Sequence, residues 1–278
     1  MLLHCGNILT VDVEDWYHIC GADAVADVPR TQWRVRPNIE LLLDLLEECN
    51  QKATFFILGS VAENDPELAP RISAHGHEIA SHGYSHRLAT SLTSEEFRGE
   101  LFRTGRILED QTGQRPIGYR APQWSLSESM PWAFEILRET GYRYDSSLNP
   151  LPFVGNPSGS RIAYRLEGAG QGLWEIPPLV AESWMCNLPV GGGWGFRFFP
   201  LSMIFRAIDA FNADAQPAVL YLHPRELEAE GPRVALPFFR SFYTYGRRTS
   251  AVPRLKELFS RYRFITIKEQ IDLWQRAS

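Results

Sequence analysis

The chain has 278 residues, of which 44% are hydrophobic, 22% charged and 12% aromatic. This is globular composition, and it excludes disordered, collagen-like and fibrous chains. Lys+Arg 28 against Asp+Glu 33 leaves a net charge of -5, the wrong sign for a general nucleic-acid binder, and no run approaches the ~20 apolar residues of a membrane helix.

In chain order, the β-branched run 7–13 (NILTVDV) predicts a strand. Residues 37–49 predict a helix, with Pro37 in its first turn and Ile39, Leu42, Leu43 and Leu46 on one face. ATFFIL (53–58) is an apolar run of strand length. Residues 66–75 predict a helix capped by Asp65, with Pro70 imposing a kink or a late start. HEIAS (77–81) reads as a third strand.

Thr93-Ser94-Glu95-Glu96 is a capping box that opens a helix to about Gln111, with Gly113 just past it. IGYR (117–120) reads as a strand, and a helix runs from Pro131 to Gly141. YRYD (142–145) and LWEIP (173–177) are strand candidates on either side of a Gly/Pro/Ser-rich loop. There follow a helix over 200–211, a strand AVLYLH (218–223), a helix over 252–262, a strand FITI (264–267) and a closing helix at about 268–276. Strands alternating with helices indicate βα units and a parallel sheet. About seven such units favour an α/β barrel over an open sheet. No repeat, low-complexity tract or linker divides the chain, so a single domain over 1–278 is expected.

Cys5, Cys20, Cys49 and Cys186 are scattered without a C-x-x-C pair, which predicts reduced thiols rather than a zinc or redox motif. The start, MLLHCGNILTVDVEDW, lacks a basic n-region and a long apolar h-region, and a cytoplasmic location is expected from it.

Four sites carry side chains suited to chemistry. VDVEDW (11–16) places three carboxylates, Asp12, Glu14 and Asp15, at the end of an apolar strand, with Asp12 and Glu14 on one face. Strand ends of this kind form the reactive mouth of a barrel. SHGYSH (81–86) spaces His82 and His86 four apart; on a helical turn both imidazoles would face one metal. YRAPQW (119–124) ends a strand in Arg120, suited to a bidentate carboxylate pair. LYLHPRE (220–226) ends another strand in His223, a side chain suited to proton donation near neutral pH.

GHEIASHGYSH (76–86), YRAP (119–122) and YLHP (221–224), in this order, resemble the histidine, arginine and late-histidine motifs of the polysaccharide deacetylase (NodB homology) family. The resemblance covers most of residues 7–225. It is nearest to the exopolysaccharide and exosortase-associated subgroup, through the VDVEDW start, the segment Gly191–Arg197 and a C-terminal extension, about 225–278. It implies a distorted (β/α)7 TIM-like barrel. It also implies Asp12 as general base, His82 and His86 as metal ligands, Arg120 as the group orienting Asp12, His223 as general acid and Asp145 as its support. The family's usual T-F-D-D puts the metal carboxylate directly after the base. Here Val13 stands at that position, leaving Glu14 or Asp15 as the third ligand.

The implied activity is a metal-dependent N-deacetylase acting on an N-acetylated glycan. Zinc is the expected metal, and cobalt, nickel or iron also suit the donors. A small-amide or ureide hydrolase and a catalytically silent carbohydrate-binding protein are the alternatives. Trp16, Tyr17, Trp124, Trp174, Trp184, Trp194 and Tyr221 near predicted strand ends and loops offer faces for sugar stacking. The glycines 191–193 would permit close backbone approach or a flexible turn.

Overall fold

The computed structural model describes residues 6–19, 28–152, 154–168, 172–246 and 249–277. Its strands are β1 Asn7–Val13, β2 Thr54–Ile57, β3 Glu78–Ser81, β4 Gly118–Tyr119, β5 Tyr144–Asp145, β6 Tyr164–Leu166, β7 Leu173–Glu175, β8 Ala181–Glu182, β9 Asn187–Leu188, β10 Val219–Leu222 and β11 Phe264–Ile265. Its α-helices are α1 Val35–Glu48, α2 Gly59–Asn64, α3 Leu68–Ala74, α4 Ser94–Thr112, α5 Pro131–Glu139, α6 Gly193–Phe198, α7 Leu201–Ala213, α8 Phe238–Tyr245, α9 Val252–Arg261 and α10 Ile267–Ala277.

The main sheet runs β10-β1-β2-β3-β4-β5-β7-β6, with β11 also paired to β1. Among the described residues of this sheet only β6 runs antiparallel, against β7, while β8 and β9 form a separate antiparallel pair. This is an α/β fold with a curled parallel sheet, as the alternating pattern predicts. The gap between β7 and β10 is spanned by irregular chain: Leu179 N donates to Val219 O at 2.7 Å and Tyr221 N to Gly191 O at 2.8 Å. Glycine is required at this seam. A Cβ on Gly192 would stand 2.2 Å from Tyr221 O and one on Gly191 2.5 Å from Leu179 O. The close approach that the triple glycine permits is thus to the barrel's own backbone.

Alternation along β1 divides the core. Leu9, Val11 and Val13 face outward and pack with Phe55, Ile57, the apolar face of α1 and residues of α7 and α9. Ile8 joins Phe56, Ala80, Tyr144, Ile176 and Val219 in a second cluster, into which α10 inserts Ile267 and Ile271. The buried Glu78 explains how that helix is seated. It accepts hydrogen bonds from Lys268 N, Thr54 Oγ1 and Tyr144 Oη, so an orphan donor of the helix N-terminus is satisfied inside the fold.

The capping box at Thr93 and Glu96 and the left-handed stop at Gly113, φ 73°, form as the sequence predicts. Helix α3 starts late, at Leu68, which leaves Pro70 in its first turn, where no amide donor is needed. Helix α1 starts two residues before Pro37. The short elements β6, β8, β9, α2, α6 and α8 carry no periodic signal long enough to predict. Cys49 and Cys186 are free; Cys5 and Cys20 lie outside the described residues. Among the described residues, no helix is long and apolar enough to cross a membrane.

Candidate metal centre and proton-transfer groups

Parallel strands bring their C-terminal ends to one mouth, and four of them converge there. From β1 come Asp12 and Glu14, 3% and 4% exposed. After β3 comes the turn carrying His82 and His86, after β4 Arg120, and after β10 His223. The two histidines do not share a helical turn as their spacing suggests. His82 directly follows β3, and the chain then reverses through Gly83 (φ 75°) and His86 (φ 60°), leaving the rings 5.6 Å apart.

Glu14, His82 and His86 place one donor atom each within 4.8 Å of one another, all buried. Glu14 Oε2 lies 2.6 Å from His86 Nε2 and 3.9 Å from His82 Nε2. His82 Nδ1 is 2.8 Å from the Arg120 carbonyl, which fixes that nitrogen as the donor and leaves Nε2 free to ligate. Burial pushes the His82 imidazolium down to about 4 despite the nearby Asp12, so the ring is neutral at neutral pH. Burial alone would raise the Glu14 carboxyl, but Arg225, His86 and His223 hold it well below the ordinary range. A neutral imidazole beside an ionised carboxylate is the protonation state a divalent cation needs, and this donor set fits one.

Asp15 takes another role. Its carboxylate accepts from Trp16 N at 2.8 Å, Arg34 N at 2.9 Å and Val35 N at 3.1 Å, satisfying amides at the entry to α1. Of the two carboxylates the sequence left open, alternation puts Glu14 on the Asp12 face beside the histidines and turns Asp15 away, so Asp15 is not in the donor cluster.

Asp12 receives Arg120 Nη1 at 2.7 Å. Arg120 is fully buried and also donates to Thr10 Oγ1, Ser146 O and Ser146 Oγ, with its guanidinium 4.3 Å from the Phe56 ring centre. Its orientation is therefore fixed from four sides. Burial raises the Asp12 carboxyl, and Arg120, His82 and His223 together more than offset that, with a net lowering. His223 Nε2 stands 3.8 Å from Asp12 Oδ2 and 3.6 Å from Glu14 Oε1.

The support expected from Asp145 is a second correction. Asp145 accepts from Ser147 Oγ at 2.5 Å and is the register partner of Glu175. The partner of His223 is Glu226, whose Oε1 lies 2.7 Å from His223 Nδ1, with Arg197 Nε 3.4 Å from Oε2. Sequence reading also missed Arg225, which donates to Glu14 Oε1. Both follow His223 in H-P-R-E, where the His-to-Glu spacing of three is a capping-box pattern that the structure forms. That spacing was the available signal for Glu226. Arg225 had none, because its partner is 211 residues away. His18 is a further missed neighbour, its ring 5.8 Å from His86.

The aromatic residues divide. Trp124 lies 4.6 Å from Tyr221 between ring centres, and Tyr221 is 6.0 Å from His223. Trp16 is buried, with Nε1 donating to Gln32 O. Trp174 packs on Trp274 and Trp194 on residues of α6 and α8, while Trp184 is 93% exposed at the β8–β9 tip.

The polysaccharide deacetylase family profile matches residues 27–144, and a domain of unknown function, DUF3473, matches 146–272. The boundary between them falls within β5, and both segments supply strands to the same sheet. A peptidoglycan deacetylase of Helicobacter pylori is 33% identical over 153 residues, 53% of this chain and 51% of that protein. The chain thus spans about half of that curated relative. A crystal structure of a candidate polysaccharide deacetylase from Mycobacterium smegmatis aligns with TM-score 0.64 at 26% identity, covering 98% of this chain and 91% of the other. The Puue allantoinase structure aligns with TM-score 0.65 at 16% identity, over 97% and 89%, a likeness of fold.

Proposed function

We propose that this chain, which carries a polysaccharide deacetylase domain, is a metal-dependent hydrolase that removes N-acetyl groups from a bacterial polysaccharide and releases acetate. The observation that carries the reading is the convergence at one mouth of the Glu14–His82–His86 donor set with Asp12 on Arg120 and His223 on Glu226.

Hydrolysis adds water across the acetamide C–N bond, giving acetate and a free amine. His82, His86 and Glu14 would hold a divalent metal, most simply zinc, which would supply Lewis acidity for the hydrolysis. Asp12, kept ionised by Arg120, takes the water proton. Arg120 holds that carboxylate at 2.7 Å and prevents it from turning away. Glu226 holds Nδ1–H of His223, so Nε2 faces the carboxylates of the site and delivers a proton to the departing amine nitrogen. Arg225 keeps Glu14 charged by donating to Oε1, while His82 and His86 face Oε2.

Within this class we assign the substrate to an exopolysaccharide or its precursor. The VDVEDW start and the Gly191–Arg197 segment, similar to those of that subgroup, support the assignment.

The test is acetate release from N-acetylglucosamine oligomers and N-acetylated exopolysaccharides by zinc-loaded protein. Asp12→Asn should lower turnover about 100- to 10,000-fold with metal still bound. Wild-type protein that binds zinc yet releases no acetate from any of these glycans would overturn the reading.

A further inference from the structure

The loops after β3, β4 and β5 line an open cavity of about 740 Å³, within the ordinary range for small-molecule sites of roughly 300–1,000 Å³. Strand parallelism puts these three loops at the same mouth as His223, and Trp124 joins the two regions through its contact with Tyr221. Leu88, Glu128 and Tyr164 are among the other lining residues.

Three features describe the occupant. Asn149 lines the cavity and is 2% exposed, yet neither its Nδ2 nor its Oδ1 has a partner, and Trp124 Nε1 is likewise buried without one. Buried polar atoms are almost always satisfied, so the fold leaves two donors and an acceptor in this wall unpaired, a set that a hydroxylated ligand would satisfy. The indole of Trp124 and the ring of Tyr164 add flat apolar surface for the C–H face of a sugar. Finally, no Lys, Arg or His is present among the described lining residues, and the single charge is Glu128. An anionic ring would enter without a counter-charge and against a carboxylate.

We propose that this cavity is a subsite for a neutral sugar ring adjacent to the residue being deacetylated, and that it selects neutral glycan segments over uronate-containing or phosphorylated ones. The position next to the reacting unit rests on the deacetylase reading. The preference for a neutral ring rests on the lining alone.

Calorimetry on the zinc-loaded full chain tests it with ligands that cannot turn over: neutral glucose, mannose and galactose tetramers against a glucuronate tetramer. The best neutral tetramer should bind at least tenfold tighter than the glucuronate. Asn149→Ala and Tyr164→Ala should each weaken it at least fivefold with zinc content unchanged. Glu128→Lys, at an exposed position that leaves folding undisturbed, should narrow the neutral preference at least fivefold. Equal or tighter uronate binding, no measurable binding of any neutral tetramer, or affinities indifferent to all three variants would overturn the subsite. Acetate release from N-acetylglucosamine tetramer is read on the same samples. Its absence with neutral binding intact sinks the deacetylase reading and leaves the subsite, and the converse result sinks the subsite alone.

Discussion

Two pairs of buried carboxylates stand at strand ends of the same sheet, and they carry opposite electrostatics. Asp12 and Glu14, at the end of β1, each receive a guanidinium, from Arg120 and Arg225. Burial pushes both carboxyls up, and the neighbouring positive charges bring them below their ordinary values. Asp145 and Glu175, at the ends of β5 and β7, are just as deeply buried but are served by neutral donors, Ser147 Oγ and Leu148 N. Burial there raises both groups; the neighbouring Asp145 raises Glu175 further, while the hydrogen bond with Glu175 draws Asp145 partly back down. Depth in the protein is thus shared by the two pairs. The placement of two arginines, with the histidines beside them, separates the pair shifted downward, and so able to hold a cation or take a proton, from the pair shifted upward.

Breaking the compensation at the mouth should have the largest effect. Arg120→Met leaves Asp12 buried without its cation and should cost about 3–5 kcal/mol of stability, measured by urea unfolding. Adding Asp12→Asn to it should recover part of that loss, since the uncompensated charge is then gone. A cost under about 1 kcal/mol for the single substitution would show that Arg120 does not set the state of the pair.

The second pair sharpens the comparison through pH. For an acid whose folded pKa is raised, the folded state holds the proton more tightly than the unfolded state. The associated stability is present at low pH and is lost as pH rises through the ordinary carboxylate value toward the raised one. Asp12 and Glu14, shifted downward, do the reverse and lose stability as pH falls below about 4. Asp145→Asn should therefore stabilise the protein at pH 7.5 by about 1–3 kcal/mol, and by less at pH 4.5. Equal effects at the two pH values would mean that burial does not shift Asp145 upward.

Much of the mouth was legible in the sequence because its residues sit at the ends of recognisable strands. NILTVDV, AVLYLH and the capping-box helix all formed close to their expected bounds, and Asp12, His82, His86, Arg120 and His223 were brought together. What stayed hidden was pairing across sequence distance. Glu14 and Arg225 are 211 residues apart, and nothing local distinguishes Arg225 from an exposed basic residue. Asp145 came only from the family resemblance, and the two-residue β5 gave no local pattern against which to check it; the structure pairs His223 with Glu226. The choice between Glu14 and Asp15 needed the entry of α1, whose free amides draw Asp15 away from the histidines.

Zinc content after equilibrium dialysis of wild type, Glu14→Gln and Asp15→Asn tests the central claim most directly. The geometry predicts about one zinc per wild-type chain, as an open catalytic site holds, retained in Asp15→Asn and lost in Glu14→Gln. A wild-type chain that takes up no zinc, or one whose zinc depends on Asp15 and not on Glu14, would contradict it.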